Sequence, residues 1–280
     1  PGQGGHLVVR QDRAPGRGPA MRRLIDTLIN KDEAKTIFLH GAKGSARNRV
    51  SERLVALMQS VNWRVLSTRI KSNHNLARIA TVLTKMSMTL PQKLRLSVPE
   101  RSALGLLGQN KTNNTDAITN AITTLSKCEE NMLLVLNEVH LASPQTRLLL
   151  NQCLRIVDES TGGLRILLVG DEPMPSTTDS ATLHVGLSPL TPESLAVAVG
   201  AMLHRRPISM HAARKLFEVT GGHPRYLEEV VDRLIKSNRL KVSSTAPDRL
   251  VIDERPGISM PTPRSFFEAI PRHVPHKPRR

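Results

Sequence analysis

The chain has 280 residues, a hydrophobic fraction of 39% and a net charge of +16, enough for one large domain or a large domain plus a small one. Aromatic residues make up only 2%, so the core must be aliphatic, which suits a helix-covered parallel sheet better than a sandwich or barrel. Cys128 and Cys153 form no CxxC or Cys/His cluster, which argues against a disulfide framework and a structural zinc site, and no signal peptide or bilayer-spanning apolar run is present, so a cytoplasmic protein without a membrane role is expected.

Residues 1–19 are rich in Gly and Pro and predict a flexible lead-in. A helix is expected at 20–30, with Met21, Leu24, Ile25, Leu28 and Ile29 on one face. Thr36-Ile37-Phe38-Leu39 then reads as a buried strand running into the glycine turn at His40-Gly41. Residues 47–60 carry a helical stripe of Val50, Leu54, Val55, Leu57 and Met58, and Arg64–Ile70 reads as a second strand. Helical patterns resume at 74–89 and 115–127. Between them, 90–114 contains Pro91, Pro99, Gly105, Gly108 and the polar run Gln109–Thr115, and predicts an insertion or mobile loop. Met132–Leu136 and Leu164–Gly170 are strongly apolar strands separated by a helix at 144–158, and 182–187 is a weaker strand. Strands alternating with helices are the pattern of a doubly wound α/β sheet. After Pro189 helices are expected at 192–203, 208–219 and 224–237, then a small hairpin from Leu240-Lys241-Val242 and Arg249–Ile252.

Charge follows this order unevenly. Residues 21–110 carry a net +11, residues 111–200 a net −5, and residues 201–280 a net +8. A field of this kind favours polyanions, whether nucleic acid, nucleotide phosphate or an acidic partner, and fits an arginine-rich soluble surface equally well.

Two strand ends carry the candidate chemistry. The first strand leads into Gly41-Ala42-Lys43-Gly44-Ser45-Ala46-Arg47-Asn48. A P-loop at this place needs G-x-x-x-x-G-K-[ST], with glycines that let backbone N–H groups wrap phosphates, a lysine on the β/γ oxygens and a hydroxyl on Mg²⁺. Gly41 matches. Ala46 stands for the second glycine, Arg47 for the lysine and Asn48 for the Ser/Thr. Ala disfavours positive φ, the arginine fork differs from a slim ammonium, and an amide is a poorer Mg²⁺ ligand than a hydroxyl. Lys43, Gly44 and Ser45 complete the candidate phosphate-binding turn, and the helix N-terminus still offers an anion seat.

The second motif is Leu136-Asn137-Glu138-Val139-His140. An apolar strand ending in a Mg²⁺-ordering acid and a water-polarising Glu is the Walker B pattern. Glu138 occupies the position of the catalytic base, and the neutral Asn137 occupies that of the metal-ordering acid. Asn48 and Asn137 therefore define a weak or lost Mg²⁺ site. Asp171, at the end of the next strand, is the candidate γ-phosphate sensor.

In order, "KTIFLHGAKGSARNRVSERLVALM", "NMLLVLNEVHLAS", "LRILLVGDEP", "LSPLTPESL" and "TGGHPRYLEEVVDRLIKSNRL" resemble the Orc1-like AAA+/STAND ATPase module of LuxR-type and adenylate-cyclase-associated regulators and of replication initiators. The resemblance covers about residues 18–270. It implies an ASCE/AAA+-type P-loop NTPase core at 20–189, a parallel sheet sandwiched by helices. A helical lid at 190–238, a winged-helix-like segment at 239–270 and a basic disordered tail at 271–280 would follow. Gly222-His223-Pro224 matches the G-x-P lid motif, which makes Pro224 and Arg225 lid residues. Gly257–Phe266 matches the segment after the winged helix.

The implied function is a nucleotide-binding regulatory domain of a signalling or transcription regulator, with ATP/ADP binding weak or lost and hydrolysis impaired or absent. Self-association or other domains of a larger regulator are the implied partners. An active ATPase with atypical motifs, and a DNA-binding initiator-like or assembly module using its basic surface, are the alternatives.

Overall fold

A computed structural model describes residues 16–30, 34–71, 75–112, 114–172, 182–203, 208–242, 250–253, 259–261 and 263. The lead-in expected at 1–19 lies outside these residues over 1–15, and the first helix already begins at Gly18; the tail at 271–280 and most of Gly257–Phe266 also lie outside them.

The chain divides into two compact units. The larger holds Arg17–Ala42 and Arg47–Leu187. It begins with helix α1 (Gly18–Ile29), followed by strand β1 (Thr36–His40), α2 (Arg47–Ser60), β2 (Arg64–Arg69) and α3 (Asn75–Met88). Then come α4 (Val98–Gly108), α5 (Asp116–Ser126), β3 (Met132–Asn137), α6 (Pro144–Glu159), β4 (Leu164–Gly170) and β5 (Leu183–Gly186). The strands form one five-stranded sheet in the order β2-β3-β4-β1-β5. Every pairing is parallel, with Ile37 opposite Leu167 and Leu183, and Leu134 opposite Leu66 and Ile166.

The burial pattern follows from that order. β1, β3 and β4 are interior strands covered on both faces, so their sequences are continuous apolar runs, and all seven residues of β4 are buried. β2 and β5 are edges and are mostly half-buried or exposed, with Val65 and Val185 their buried residues. Phe38, Leu83, Ile118, Leu134, Leu136, Leu154 and Leu168 meet in the main core. Each fully buried aliphatic side chain of this kind contributes about 1.5–3 kcal/mol.

Two expectations are corrected here. The stretch 90–114 is not a loop: it forms a 3₁₀ turn at Gln92–Leu94 and the helix α4. Ser97 caps α4 through the Glu100 amide, and the Glu100 side chain returns to the Ser97 backbone. Pro99 sits in the first helical turn, where its missing N–H costs nothing. Ile29 and Leu57, assigned to apolar stripes, are exposed instead, because Ile29 is the last residue of α1 and Leu57 faces away from the sheet-side row Val50–Leu54–Met58.

The smaller unit gathers Lys43–Ala46 with the described residues from Ser188 onward. It contains α7 (Pro192–Met202), α8 (Met210–Thr220), α9 (Pro224–Lys236) and the antiparallel pair β6 (Leu240–Val242) and β7 (Leu250–Ile252). Thr191 and Ser209 cap α7 and α8 through their side-chain oxygens. Leu195, Val199, Leu216, Leu227, Val230 and Leu234 form its own core. Gly222 is left-handed at φ 73°, and a Cβ there would fall 2.2 Å from the Leu190 carbonyl oxygen. Only glycine fits this turn before Pro224 opens α9.

Candidate functional site

The parallel sheet brings the carboxyl ends of β1, β3 and β4 side by side, where ligands bind in sheets of this class. The turn after β1 carries Gly41, the start of α2 carries Arg47 and Asn48, the end of β3 carries Asn137 and Glu138, and the end of β4 leads to Asp171. All lie in the larger unit.

Arg47 is the centre of the cluster and is buried. Its Nη1 donates to the Gly41 carbonyl at 2.8 Å. Its Nη2 meets the Glu138 carboxylate at 3.4 Å and is ion-paired with Asp171. The guanidinium is thus spent within the protein on one carbonyl and two carboxylates. Asn48 Nδ2 donates to the other Glu138 oxygen at 2.8 Å. His140 Nε2 lies 3.4 Å from Glu138 Oε2 and 3.6 Å from Asp171 Oδ2. Burial pushes the Glu138 carboxyl up, but the Asn48 hydrogen bond and the charges of Arg47 and His140 outweigh it, and the group ends below its ordinary value.

Two backbone features aim these groups. Glu138 is left-handed, with φ 62° and ψ 36°, at the junction of β3 and the 3₁₀ turn Val139–Leu141. Ala46 is left-handed at φ 68°, immediately before α2. A glycine, which the P-loop pattern has at this position, would take this backbone shape without the burden of a Cβ. Each such non-glycine residue costs on the order of 1–3 kcal/mol, and strain of this kind concentrates at functional positions. The 3₁₀ turn is held from α6, where Arg147 donates to the His140 carbonyl at 2.8 Å and to the Ala142 carbonyl at 3.1 Å.

The two asparagines behave differently from metal ligands. Asn137 Oδ1 accepts from Ser51 Oγ at 3.2 Å, while its Nδ2 donates to Ser67 Oγ at 2.9 Å and to the Thr68 carbonyl at 3.4 Å. It ties β3 to α2 and β2 as a neutral bracket. Asn48 turns its amide nitrogen to Glu138. A Mg²⁺ ion bound in the manner of the P-loop family wants a carboxylate and a hydroxyl at these places. Neither position supplies a carboxylate or a hydroxyl, and the Asn137 oxygen is already taken by Ser51, so the pair does not fit it.

The other candidate residues belong to the smaller unit. Lys43 is exposed, Ser45 is buried, and both belong with Gly44 and Ala46 to the smaller unit. There the Arg225 amide donates to the Gly44 carbonyl at 3.3 Å. Pro224 opens α9 and is buried, and the Arg225 side chain is exposed. Sequence reasoning missed His140, Ser51 and Arg147. His140 lies two residues past Glu138, yet its direction depends on the left-handed turn, which no residue type announces.

No family model matches the chain, and no curated protein matches it. Solved structures similar to it include Cdc6p from Pyrobaculum aerophilum, 16% identical, covering 84% of this chain and 64% of that one at a TM-score of 0.49. A STAND protein with a tetratricopeptide repeat sensor from Pyrococcus horikoshii is 14% identical, covering 75% of this chain and 29% of that one at 0.48. AMPPCP-bound DnaA from Aquifex aeolicus is 14% identical, covering 78% and 61% at 0.49. The chain therefore spans less than two thirds of each of these proteins. The fold is a P-loop NTPase-type α/β sheet, on the strength of its parallel order β5-β1-β4-β3-β2 and the β1–turn–α2 unit beside β4 and β3. Among the described residues no helix is long and apolar enough to cross a membrane.

Proposed function

We propose that this chain is an AAA+/STAND-type nucleotide-binding regulatory domain whose ATP hydrolysis is impaired or absent. The observation that carries the reading is the engagement of Arg47 with Gly41, Glu138 and Asp171. The residue at the phosphate-lysine position is held by the base and sensor positions of the same site. For Arg47 to serve a phosphate it must release two carboxylates, so nucleotide binding competes with internal ion pairs and is weak. Glu138, as base, is held below its ordinary pKa beside a guanidinium, which makes it a poor proton acceptor for water. With Asn48 and Asn137 as amides, no protein carboxylate orders a metal at the family's position.

In this proposal the turn Gly41–Asn48, with Lys43, Gly44, Ser45 and Ala46, and the N-terminus of α2 form the anion seat. Pro224 and Arg225 are the lid residues by the motif resemblance. The domain serves as an assembly or switch element of a larger regulator, in contact with itself or with that regulator's other domains.

Phosphate release from ATP, measured for the wild type and for Glu138→Gln, tests this. Both proteins should release phosphate only at the background rate. Metal-dependent turnover in the wild type that Glu138→Gln removes would establish an active ATPase with atypical motifs instead.

A further inference from the structure

The carboxylates of Glu138 and Asp171 and the imidazole of His140 form a donor set that the P-loop pattern does not use to hold a metal. Each offers one ligand atom, and the three atoms lie within 4.8 Å of one another. His140 Nε2 is 3.4 Å from Glu138 Oε2 and 3.6 Å from Asp171 Oδ2. A tetrahedral ion with bonds of about 2.0–2.2 Å to nitrogen and oxygen places its ligand atoms about 3.3–3.6 Å apart. Octahedral coordination at similar bond lengths would bring neighbouring ligands to about 3 Å, so the two distances from His140 favour the four-coordinate case.

The set is also held in place. Glu138 is fixed by its left-handed backbone, and the His140 backbone is fixed by Arg147. Asp171 follows the fully buried β4. A second feature points to the same spot: Asn48 Oδ1 is buried and has no hydrogen-bond partner among the described residues, while its Nδ2 sits on Glu138. An unused acceptor thus borders the cluster.

We propose that Glu138, His140 and Asp171 bind a divalent transition ion of the zinc class, one imidazole nitrogen and two carboxylate oxygens supplying three of its four positions. Arg47 is then the competing resident cation. Its Nη2 lies on both carboxylates, and a metal ion must displace it or share them with it. The Mg²⁺ position of the P-loop family, at Asn48 and Asn137, is a different donor set without an imidazole. The proposal is independent of whether nucleotide binds.

Co²⁺ titration of the full chain, read by its visible absorption, tests it, with Zn²⁺ as the displacing ion. The wild type should take up one Co²⁺ with the intense bands of tetrahedral coordination, bleached by Zn²⁺. Arg47→Gln should tighten uptake by about tenfold, the scale on which neighbours of a metal site act. His140→Ala and Asp171→Asn should each abolish the tetrahedral signal while circular dichroism stays that of the wild type. A wild type that takes up none overturns the proposal, even where Arg47→Gln takes up one through His140. Absence of a tetrahedral signal in both, or a signal that survives His140→Ala, overturns the proposal.

Discussion

Replacing Ala46 by glycine should stabilise the protein, against the usual sign of an Ala-to-Gly change. Ala46 holds φ 68° immediately ahead of α2. An L-residue in this region suffers a clash of its Cβ with the following carbonyl, costing roughly 1–2 kcal/mol. Glycine removes that cost. It also adds backbone freedom to the unfolded chain, worth roughly 0.5–1 kcal/mol in the opposite direction. The net expectation is a gain of about 0.5–1 kcal/mol. For a unit of this size that corresponds to a rise in Tm of about 1–4 °C. Urea unfolding followed by far-ultraviolet circular dichroism, paired with a thermal scan, measures it. A loss of about 1 kcal/mol, the ordinary cost of glycine for alanine, would show that Ala46 is not strained.

Three further outcomes follow from the same site and core. Glu138 is held below its usual pKa, so its stabilising contribution is fully present above the unfolded value of about 4.5 and is lost as pH falls through the lower folded value. The stability advantage of the wild type over Glu138→Gln should therefore shrink on acidification from about pH 5 to pH 3, and a difference independent of pH would contradict the ion-paired geometry. Burial pushes the Cys153 thiol up to about 12 and also raises Cys128, which Glu130 raises further. A disulfide reagent at mildly alkaline pH should label neither until the protein unfolds, and rapid native labelling of Cys153 would contradict its burial on α6 in the main core. Gly163→Ala should destabilise strongly, since a Cβ there falls 2.4 Å from the Glu130 carbonyl oxygen and 2.8 Å from that of Glu129. Chemical denaturation should show a loss of at least about 2 kcal/mol, and a neutral result would refute that packing.

Much of the architecture was legible because interior parallel strands must be continuous apolar runs. Ile37–Leu39, Met132–Leu136 and Leu164–Val169 announce themselves in this way, and their order with the intervening helices leads to the sheet. The helix α4 was hidden by Pro91, Pro99, Gly105 and Gly108, which weigh as breakers when counted but not when placed. Pro99 is in a first turn, and Ser97-Val98-Pro99-Glu100 is a capping box that could have been read. At the site, five of the residues that the motifs single out, Gly41, Arg47, Asn48, Glu138 and Asp171, are joined in one cluster. What the spacing could not give was direction. That Arg47 turns onto the acids, that Asn137 brackets β2 and α2, and that His140 joins Glu138 all depend on side-chain angles and on a left-handed residue whose type does not favour that shape.

In the proposed function this strand-end site is neutralised from within and offers no carboxylate at the Mg²⁺ position of the P-loop pattern. Isothermal titration with ATP and Mg²⁺, set against ATP with a chelator, tests it most directly. Weak or undetectable binding that is the same in both is the predicted result. Tight binding that vanishes when Mg²⁺ is removed would contradict it.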